Sequence, residues 1–371
     1  MPATNRFDQL EAEPPTSDSP TVSIIVPARN EEASLKACLA SLIAQTGIPF
    51  EIIVVDDHST DHTRAIASSF PQQTVRVIEA PPLPPGWTGK NNAVTSGARI
   101  ARGSWLLFTD ADTVHLPGSL ARSVNEARQQ NAVMLSYSPE QIVKGFWEKA
   151  VMPVIFAELA ATFRPKEVID PNSPAAAANG QYILITREAY DAVGGHAAIA
   201  GTLLEDVALA SLVKRSGKKI FFRFGGDAVH TRMYRTFAQL REGWTKNLAL
   251  LFPSPTRLAA VRMLEFVLIL SSLIIAIVAS LRGQAGQAAI SAMLALIFYS
   301  FHIARIRRAH FSWDATLLAF FGLPLFSYLL LRSKISHERG RVTWKGRSYS
   351  EGKNLLATNH SSLPTDFLWF T

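Results

Sequence analysis

The chain is predicted to be an α/β protein, a mostly parallel sheet flanked by helices, followed by C-terminal transmembrane helices. Two observations in the first part predict the sheet. Short apolar runs without polar alternation, at 22–27, 51–55 and 105–109, alternate with stretches of helical periodicity, the pattern of strands covered on both faces. Each of these runs ends in a polar cluster: Pro27-Ala28-Arg29-Asn30-Glu31, Asp56-Asp57, and Asp110-Ala111-Asp112. A third observation predicts the membrane part. Residues before about 255 read as a mixed, water-soluble sequence, whereas 263–331 holds three long apolar stretches separated by short basic loops.

The elements follow in order. After the first strand, Leu35, Leu39 and Leu42 fall at helical spacing within 31–43, and the second strand completes a βαβ unit. Ser59-Thr60-Asp61 offers an N-cap for a helix through Ile66 and Phe70, and 75–78 supplies a third strand. Residues 93–101 read as a helix leading into the strand before Asp110, and Glu205-Asp206 opens a helix over 207–213. Ligands of such sheets collect at the carboxyl ends of the strands, near a topological switch point. The three polar clusters are therefore expected to converge on one cleft.

Asp110 and Asp112 stand at i and i+2 just past a buried strand. Two carboxylates so placed can share one divalent cation, and a cation held there can neutralise a diphosphate. By itself an Asp-x-Asp is common, and a solvated turn capping the next helix is the plainer reading. Its surroundings give it weight.

The net charge of +7 raises nucleic acid as a partner, but the basic residues that stand out, Arg257, Arg262, Arg305, Arg307, Arg308, Arg332 and Lys334, flank apolar segments. Anionic lipid headgroups would meet them there, so the membrane is favoured and no nucleic acid is expected. The single Cys38 forms no internal disulfide and, in an apolar helical stripe, reads as a small core residue in a reducing compartment. Residues 1–20 contain acidic residues and no apolar run of signal-peptide length; they read as a disordered tail. The expected organisation is that tail, a cytoplasmic catalytic domain over 21–255, a membrane region over 256–335 and a basic tail over 336–371.

Within the membrane region, 266–281 and 315–331 are uncharged and 285–303 has only His302 as a titratable group. Each approaches the length needed to span a bilayer. With the catalytic domain in the cytoplasm, the Arg282 loop lies outside and the Arg305–Arg308 loop inside, as the positive-inside rule asks. A third full span would put the basic tail outside, against that rule. The alternative is that the third segment, interrupted by Gly322-Leu323-Pro324, is re-entrant or interfacial. The apolar stretch 146–163 carries Glu148, Lys149 and Glu158 and is expected to pack on the domain or lie along the bilayer as an acceptor entrance.

The runs Val-Ser-Ile-Ile-Val-Pro-Ala-Arg-Asn-Glu-Glu, Glu-Ile-Ile-Val-Val-Asp-Asp-His-Ser-Thr-Asp, Phe-Thr-Asp-Ala-Asp and Leu-Glu-Asp, in that order over 21–250, resemble a family 2 glycosyltransferase of the GT-A nucleotide-sugar-binding fold. Gly86-Trp87-Thr88-Gly89-Lys90, Asn179-Gly180-Gln181, Thr231-Arg232-Met233-Tyr234 and the 342–347 segment resemble its membrane-anchored branch of hopanoid-associated, carotenoid-type and ceramide-type lipid glycosyltransferases. The resemblance implies that Asp57 accepts the uracil N3–H of a UDP-sugar, with Pro27, Arg29 and Glu31 flanking the donor. A carboxylate suits that task because it only accepts. Arg29 could instead form an ion pair at the cleft rim.

Lys90 would place a point charge on the diphosphate, and Asp110 and Asp112 would take the ribose and a divalent cation, Mg²⁺ or Mn²⁺. The resemblance makes Asp112 the direct metal ligand, with His230 as a further metal or phosphate contact or simply a satisfied histidine at a strand end. Asp206 matches the base that deprotonates the acceptor hydroxyl in an inverting transfer, with Glu205 beside it. Carboxylates opening a helix also serve as caps.

Gln181, Arg241 and Trp244 are candidates for contact with acceptor or diphosphate. Processive family members carry a Gln/Arg-x-x-Arg-Trp motif, and here Gly243 stands before Trp244, which favours a single transfer. The element could also be an interfacial helix with its tryptophan at headgroup level. The expected acceptor is a membrane lipid hydroxyl. Two other readings are a processive polysaccharide synthase and a noncatalytic membrane scaffold, but a degenerate domain should have lost the strand-end carboxylates. A nucleotidyltransferase would have a Gly-rich first loop instead of Pro-Ala-Arg-Asn-Glu.

Overall fold

The structure is a computed structural model that describes residues 20–349; the expected tail before residue 20 and the 350–371 part of the expected basic tail lie outside the described residues. The chain divides into two compact units. The first takes in described residues 20–140 and 165–232, the second 141–164 and 233–349.

The first unit is built on a seven-stranded sheet. Strands β1 (Val22–Ala28), β2 (Phe50–Asp56), β3 (Val75–Glu79) and β4 (Trp105–Phe108) are mutually parallel, and β5 (Thr113–His115) and β6 (Met134–Ser138) follow them in the chain. The sheet order is β3-β2-β1-β4, then Ile183–Thr186, then β6, then Ile220–Phe224. Only Ile183–Thr186 runs against its neighbours, β4 and β6, so the sheet is mostly parallel. β1, β2 and β4 are buried on both faces, which is why they read as continuous apolar runs. Leu35, Leu39 and Leu42 of the helix Leu35–Ile43 pack with Ile24, Val26, Ile52 and Val54 in one hydrophobic core. That helix starts four residues after Glu31 because Glu31 to Ser34 form a turn, with the Leu35 amide donating to the Glu31 carbonyl at 2.9 Å.

The chain reverses its order of strand placement at β1, with β2 on one side and β4 on the other. Register makes the consequence explicit. Ala28 is level with Asp56 and Ile25 with Phe108, so Arg29, Asp57 and Asp110 all leave the same carboxyl edge. That edge, at the switch point, is where an open α/β sheet binds ligand.

The second unit is helical: Phe146–Thr162, Phe237–Leu251, Pro255–Leu281, Ala285–Ile306 and Trp313–Glu338, ending in a hairpin of Val342–Trp344 with Arg347–Tyr349. The last three helices are long and apolar enough to cross a membrane. Pro324 lies inside the helix Trp313–Glu338, which runs through the expected interruption at Gly322-Leu323-Pro324. Gly322 fits against the backbone of Ala150 so closely that an added Cβ would overlap the Ala150 carbonyl. The charges of 146–163 are partnered within the unit: Glu148 accepts from the Gly145 amide at 3.1 Å, Lys149 meets Asp314 at 2.6 Å, and Glu158 meets Arg262 at 3.0 Å and also Arg305.

Candidate active site

The site is assembled from the loops that leave the carboxyl edge of β1, β2 and β4. After β1 and β2 the backbone takes the left-handed conformation at Asn30 (φ 52°) and His58 (φ 54°), residue types that enter this region more readily than most. These turns let Arg29 Nη1 donate to the carbonyls of Asp57 (2.6 Å) and His58 (3.2 Å). Asp57 is buried, its amide donating to the Ala28 carbonyl at 2.8 Å. Asp56 and Asp61 hold turn amides instead: Asp56 accepts from Ser59 at 3.3 Å and Asp61 from Thr63 at 3.0 Å. Glu31 accepts from the Ser34 hydroxyl at 2.9 Å, and its amide donates to Thr63 Oγ1 at 2.7 Å. Pro27 lies in β1, level with Val55.

Lys90 opens the helix Gly89–Ile100, whose N-cap Thr88 accepts from the Asn91 amide. The ammonium reaches two carboxylates at once, Asp110 Oδ1 and Glu205 Oε1, each at 2.7 Å. Burial disfavours its charge, but Asp110 and Glu205 hold the pKa well above the usual lysine value. Next to Glu205, the half-buried Asp206 accepts from the Gly180 amide at 3.0 Å and the Val207 amide at 2.8 Å. Burial, then the charge of Glu205, pushes Asp206 up to about 6; Lys90 and the two amides work in the opposite direction. Three carboxylates and one ammonium thus share this corner, and Asp112 adds another carboxylate in the same turn as Asp110. The carboxylates there outnumber the ammonium.

Behind the Asp110–Asp112 turn lies a buried hydroxyl–imidazole network. Thr109 Oγ1 donates to the Gln181 carbonyl and Thr113 Oγ1 to the Asp110 carbonyl, both at 2.8 Å. With each hydroxyl proton so used, both oxygens accept from His115 Nε2, at 3.1 Å each. Burial lowers the His115 pKa to about 3, so the ring is neutral and protonated on that nitrogen. Cys38 Sγ lies 3.7 Å from the same Asp110 carbonyl, and burial pushes its thiol up to about 12.

The remaining predicted residues fall in several places. Gln181 is buried, its amide nitrogen donating to Thr231 Oγ1 at 3.2 Å, and Thr231 Oγ1 donates to the Asp112 carbonyl at 3.2 Å. His230 sits in the strand Val229–Thr231, antiparallel to β5. Its Nε2 is 2.9 Å from the Gly226 carbonyl and 3.1 Å from Glu140, so a metal-ligand role there would fall to Nδ1. Among the described residues no group of three or more His, Cys, Asp or Glu side chains is poised to hold a metal. Arg241 and Trp244 belong to the second unit. Arg241 is exposed. Trp244 is buried between Tyr234 and Phe156, its Nε1–H 3.3 Å from Met152 Sδ. A Cβ on Gly243 would overlap the Tyr234 ring, so no arginine fits there without moving that ring.

Two residues carry more of the site than their sequence signals suggest. Asn91 Nδ2 lies 2.9 Å from the carbonyls of Ile199 and Ala200 and 3.1 Å from that of Thr202, fixing the start of the Lys90 helix to the loop that delivers Glu205. Gly180 is bare because a Cβ would stand 3.1 Å from Lys90 Nζ and 3.2 Å from Glu205 Oε1. The doubled Asn91-Asn92 in a first helical turn, and a Gly between Asn179 and Gln181, were the available hints.

Comparison with known proteins gives the family. Residues 23–194 match the family described as Glycosyl transferase family 2. The sequence is 30% identical over 361 residues to 4,4'-diaponeurosporenoate glycosyltransferase of Staphylococcus aureus strain MRSA252, covering 94% of this chain and 93% of the relative, and equally to that of strain USA300. Among solved structures, a mannosyltransferase from Pyrobaculum calidifontis in complex with GDP-Man and Mn²⁺ aligns with TM-score 0.49 at 18% identity, over 88% of this chain and 89% of that one. Its likeness to the staphylococcal enzymes along nearly its whole length places the chain in glycosyltransferase family 2.

Proposed function

We propose that the protein transfers one hexose, with inversion, from a UDP-sugar to a membrane lipid hydroxyl, with Asp206 as the base. The observation that carries the reading is the placement of Asp206. It is held by two amides, next to the Lys90 ammonium that bridges Asp110 and Glu205, with a pKa near 6. A carboxylate so tuned is ionised at pH 7 yet basic enough to take a proton as the hydroxyl attacks. In an inverting displacement that attack comes opposite the leaving diphosphate, so no protein nucleophile is needed. Lys90 offers the departing oxygens a positive charge, and Asp57 offers an acceptor to the base.

A divalent cation fits the corner on two grounds. The local carboxylates outnumber the ammonium, and Mg²⁺ or Mn²⁺ needs only one or two protein carboxylates when phosphate oxygens complete its shell. Asp112, with Asp110, would hold it. When bound, it supplies charge neutralisation for the diphosphate. Added chelator is expected to abolish transfer, and Mg²⁺ or Mn²⁺ to restore it; transfer that survives chelation would remove the cation from this scheme.

The lipid acceptor is supported by the staphylococcal relatives, whose name denotes a carotenoid-type substrate. That name also denotes a carboxylate, which favours a second reading with a lipid acid as acceptor. A carboxylate arrives ionised and needs no base. Purified enzyme with labelled UDP-hexoses, GDP-mannose as the alternative donor, and paired lipid alcohols and lipid acids separates the readings. Under the first, Asp206→Asn loses about 10²- to 10⁴-fold in kcat with the alcohol; under the second, transfer to the acid survives it. Product carrying a single sugar would exclude the processive alternative, which Gly243 already disfavours.

A further inference from the structure

The third apolar helix, Trp313–Glu338, differs from the first in the face it exposes. Its exposed large apolar side chains are Trp313, Leu317, Phe321, Tyr328, Leu331 and Ile335. At 100° per residue these fall within an arc of about 80°, and the buried Ala315, Ala319, Leu323, Phe326 and Leu330 occupy the opposite side. In the helix Pro255–Leu281, by contrast, exposed Val267, Leu268, Leu273, Ile274, Ile277 and Val278 spread over about 220°, beside a narrow buried face of Ile269, Ser272, Ala276 and Ala279, as a helix with lipid on most sides requires.

Its packing tells the same story. Leu317 and Phe320 meet Tyr299 and Phe266: Tyr299 Oη lies 3.5 Å from the Leu317 carbonyl, and the Phe266 and Phe320 rings stack at 4.9 Å. Ser327 Oγ is 3.0 Å from the Ala259 carbonyl. Further on, Ser333 Oγ donates to the Thr245 carbonyl at 2.7 Å and His337 Nε2 lies 2.8 Å from the Lys246 carbonyl. The helix therefore passes Phe266, then Ala259, then the helix Phe237–Leu251, moving away from the 282–284 turn. Its core takes Leu258, Ala259 and Phe266 from the first apolar helix and Ile306 from the second. Beyond Phe266 the first helix continues for about 22 Å at 1.5 Å per residue, most of a bilayer core of about 30 Å.

We infer that Pro255–Leu281 and Ala285–Ile306 form the membrane-crossing hairpin, whereas Trp313–Glu338 lies in the plane of one interface, its narrow apolar stripe in lipid and its other face on protein. The occupant of the stripe is an anionic bilayer surface. Exposed Arg307 and Arg308 precede the helix, and exposed Arg332, Arg339 and Arg341 lie at and beyond its far end, a charge pattern that matches anionic headgroups. The hairpin beginning at Val342 then stays on the same side as the Arg305–Arg308 turn, which removes the conflict with the positive-inside rule.

The inference rests on the membrane anchor of the proposed function, and cysteine labelling of the full chain in sealed cells tests the two separately. The native chain, whose one cysteine is buried, supplies the blank. A membrane-impermeant maleimide is expected to label Gln284→Cys from outside and to label Ser312→Cys and Thr343→Cys only after permeabilisation. Labelling of positions 284 and 343 together from outside, with 312 protected, would make the third helix a span and overturn the inference while leaving the anchor intact. Labelling of all three from one side would remove the hairpin and overturn the inference and the anchor together.

Discussion

Gly180 has no side chain because the corner it faces is full. A methyl group there would press on Lys90 Nζ and Glu205 Oε1 at 3.1 and 3.2 Å, closer than ordinary contact, and would disturb the amide that holds Asp206. Gly180→Ala is therefore expected to lower kcat about tenfold or more while the fold survives, checked by steady-state rates beside a thermal melt. Asp206 supplies a pH signature. As the proposed base, with a pKa near 6 in the ligand-free protein, it is expected to give kcat/KM an acid limb there, falling tenfold per unit below it. Glu205 is the second cause of the elevation after burial, so Glu205→Gln is expected to move that limb to lower pH. The stability sign is opposite. A carboxylate raised in the fold favours the folded state as pH falls through about 6 toward the ordinary aspartate range, and disfavours it above. Asp206→Asn should thus melt higher than the native chain at pH 8 while losing activity. In the sequence, Lys90 was legible as a Gly-Lys opening a helix. Its two carboxylate partners were legible too, but not their sharing of one ammonium, because Glu205 comes from a loop joined to that helix by long-range bonds, those of Asn91 and of the Thr88 amide to the Ala200 carbonyl.

Among the elements, the strands were the most legible, since burial on both faces leaves unbroken apolar runs that periodicity detects. Helix starts were less so. The helix expected from Glu31 begins at Leu35, where a turn takes up the Glu31 carbonyl, and no local propensity marks that choice. The antiparallel strand Ile183–Thr186 entered the sheet through its pairing with β4 and β6, long-range partners that a single sequence does not reveal. Gly322-Leu323-Pro324 read as an interruption because proline lacks the amide donor and clashes with the preceding turn. The structure keeps the helix whole by packing it: Gly322 lets the Ala150 backbone approach, and Ser327 Oγ lies 3.0 Å from both the Leu323 and Ala259 carbonyls. Gly322→Leu should accordingly cost more than the roughly 1–3 kcal/mol of ordinary overpacking, because the obstacle is backbone and cannot rotate away. A fall in melting temperature in detergent, with loss of folded yield, would show it; an unchanged melt would mean that the two helices do not meet there.

At the scale of the whole molecule, two forces could hold the chain at a membrane, and they differ in magnitude. The net charge of +7 draws basic segments to anionic lipid at about 1 kcal/mol per residue near the surface, an attraction that salt screens. The hairpin of Pro255–Leu281 and Ala285–Ile306 exposes large apolar side chains along most of its length, among them Leu264, Ile274, Ile277, Leu296 and Phe301. Each buried methylene contributes about 0.8 kcal/mol, and a spanning segment is retained almost irreversibly. The apolar term therefore wins. The protein should remain with the membrane fraction through washes in 1 M salt or alkaline carbonate and leave it only in detergent. Release by salt alone would reduce the anchor to its charge, and the acceptor would then have to be sought in solution as well as in the bilayer. Retention has a kinetic counterpart: with a lipid acceptor confined to the same sheet as the enzyme, the rate should follow the mole fraction of acceptor in the vesicle at fixed bulk concentration. Diluting the acceptor with inert lipid tests that directly, because a water-borne acceptor would give a rate indifferent to added lipid.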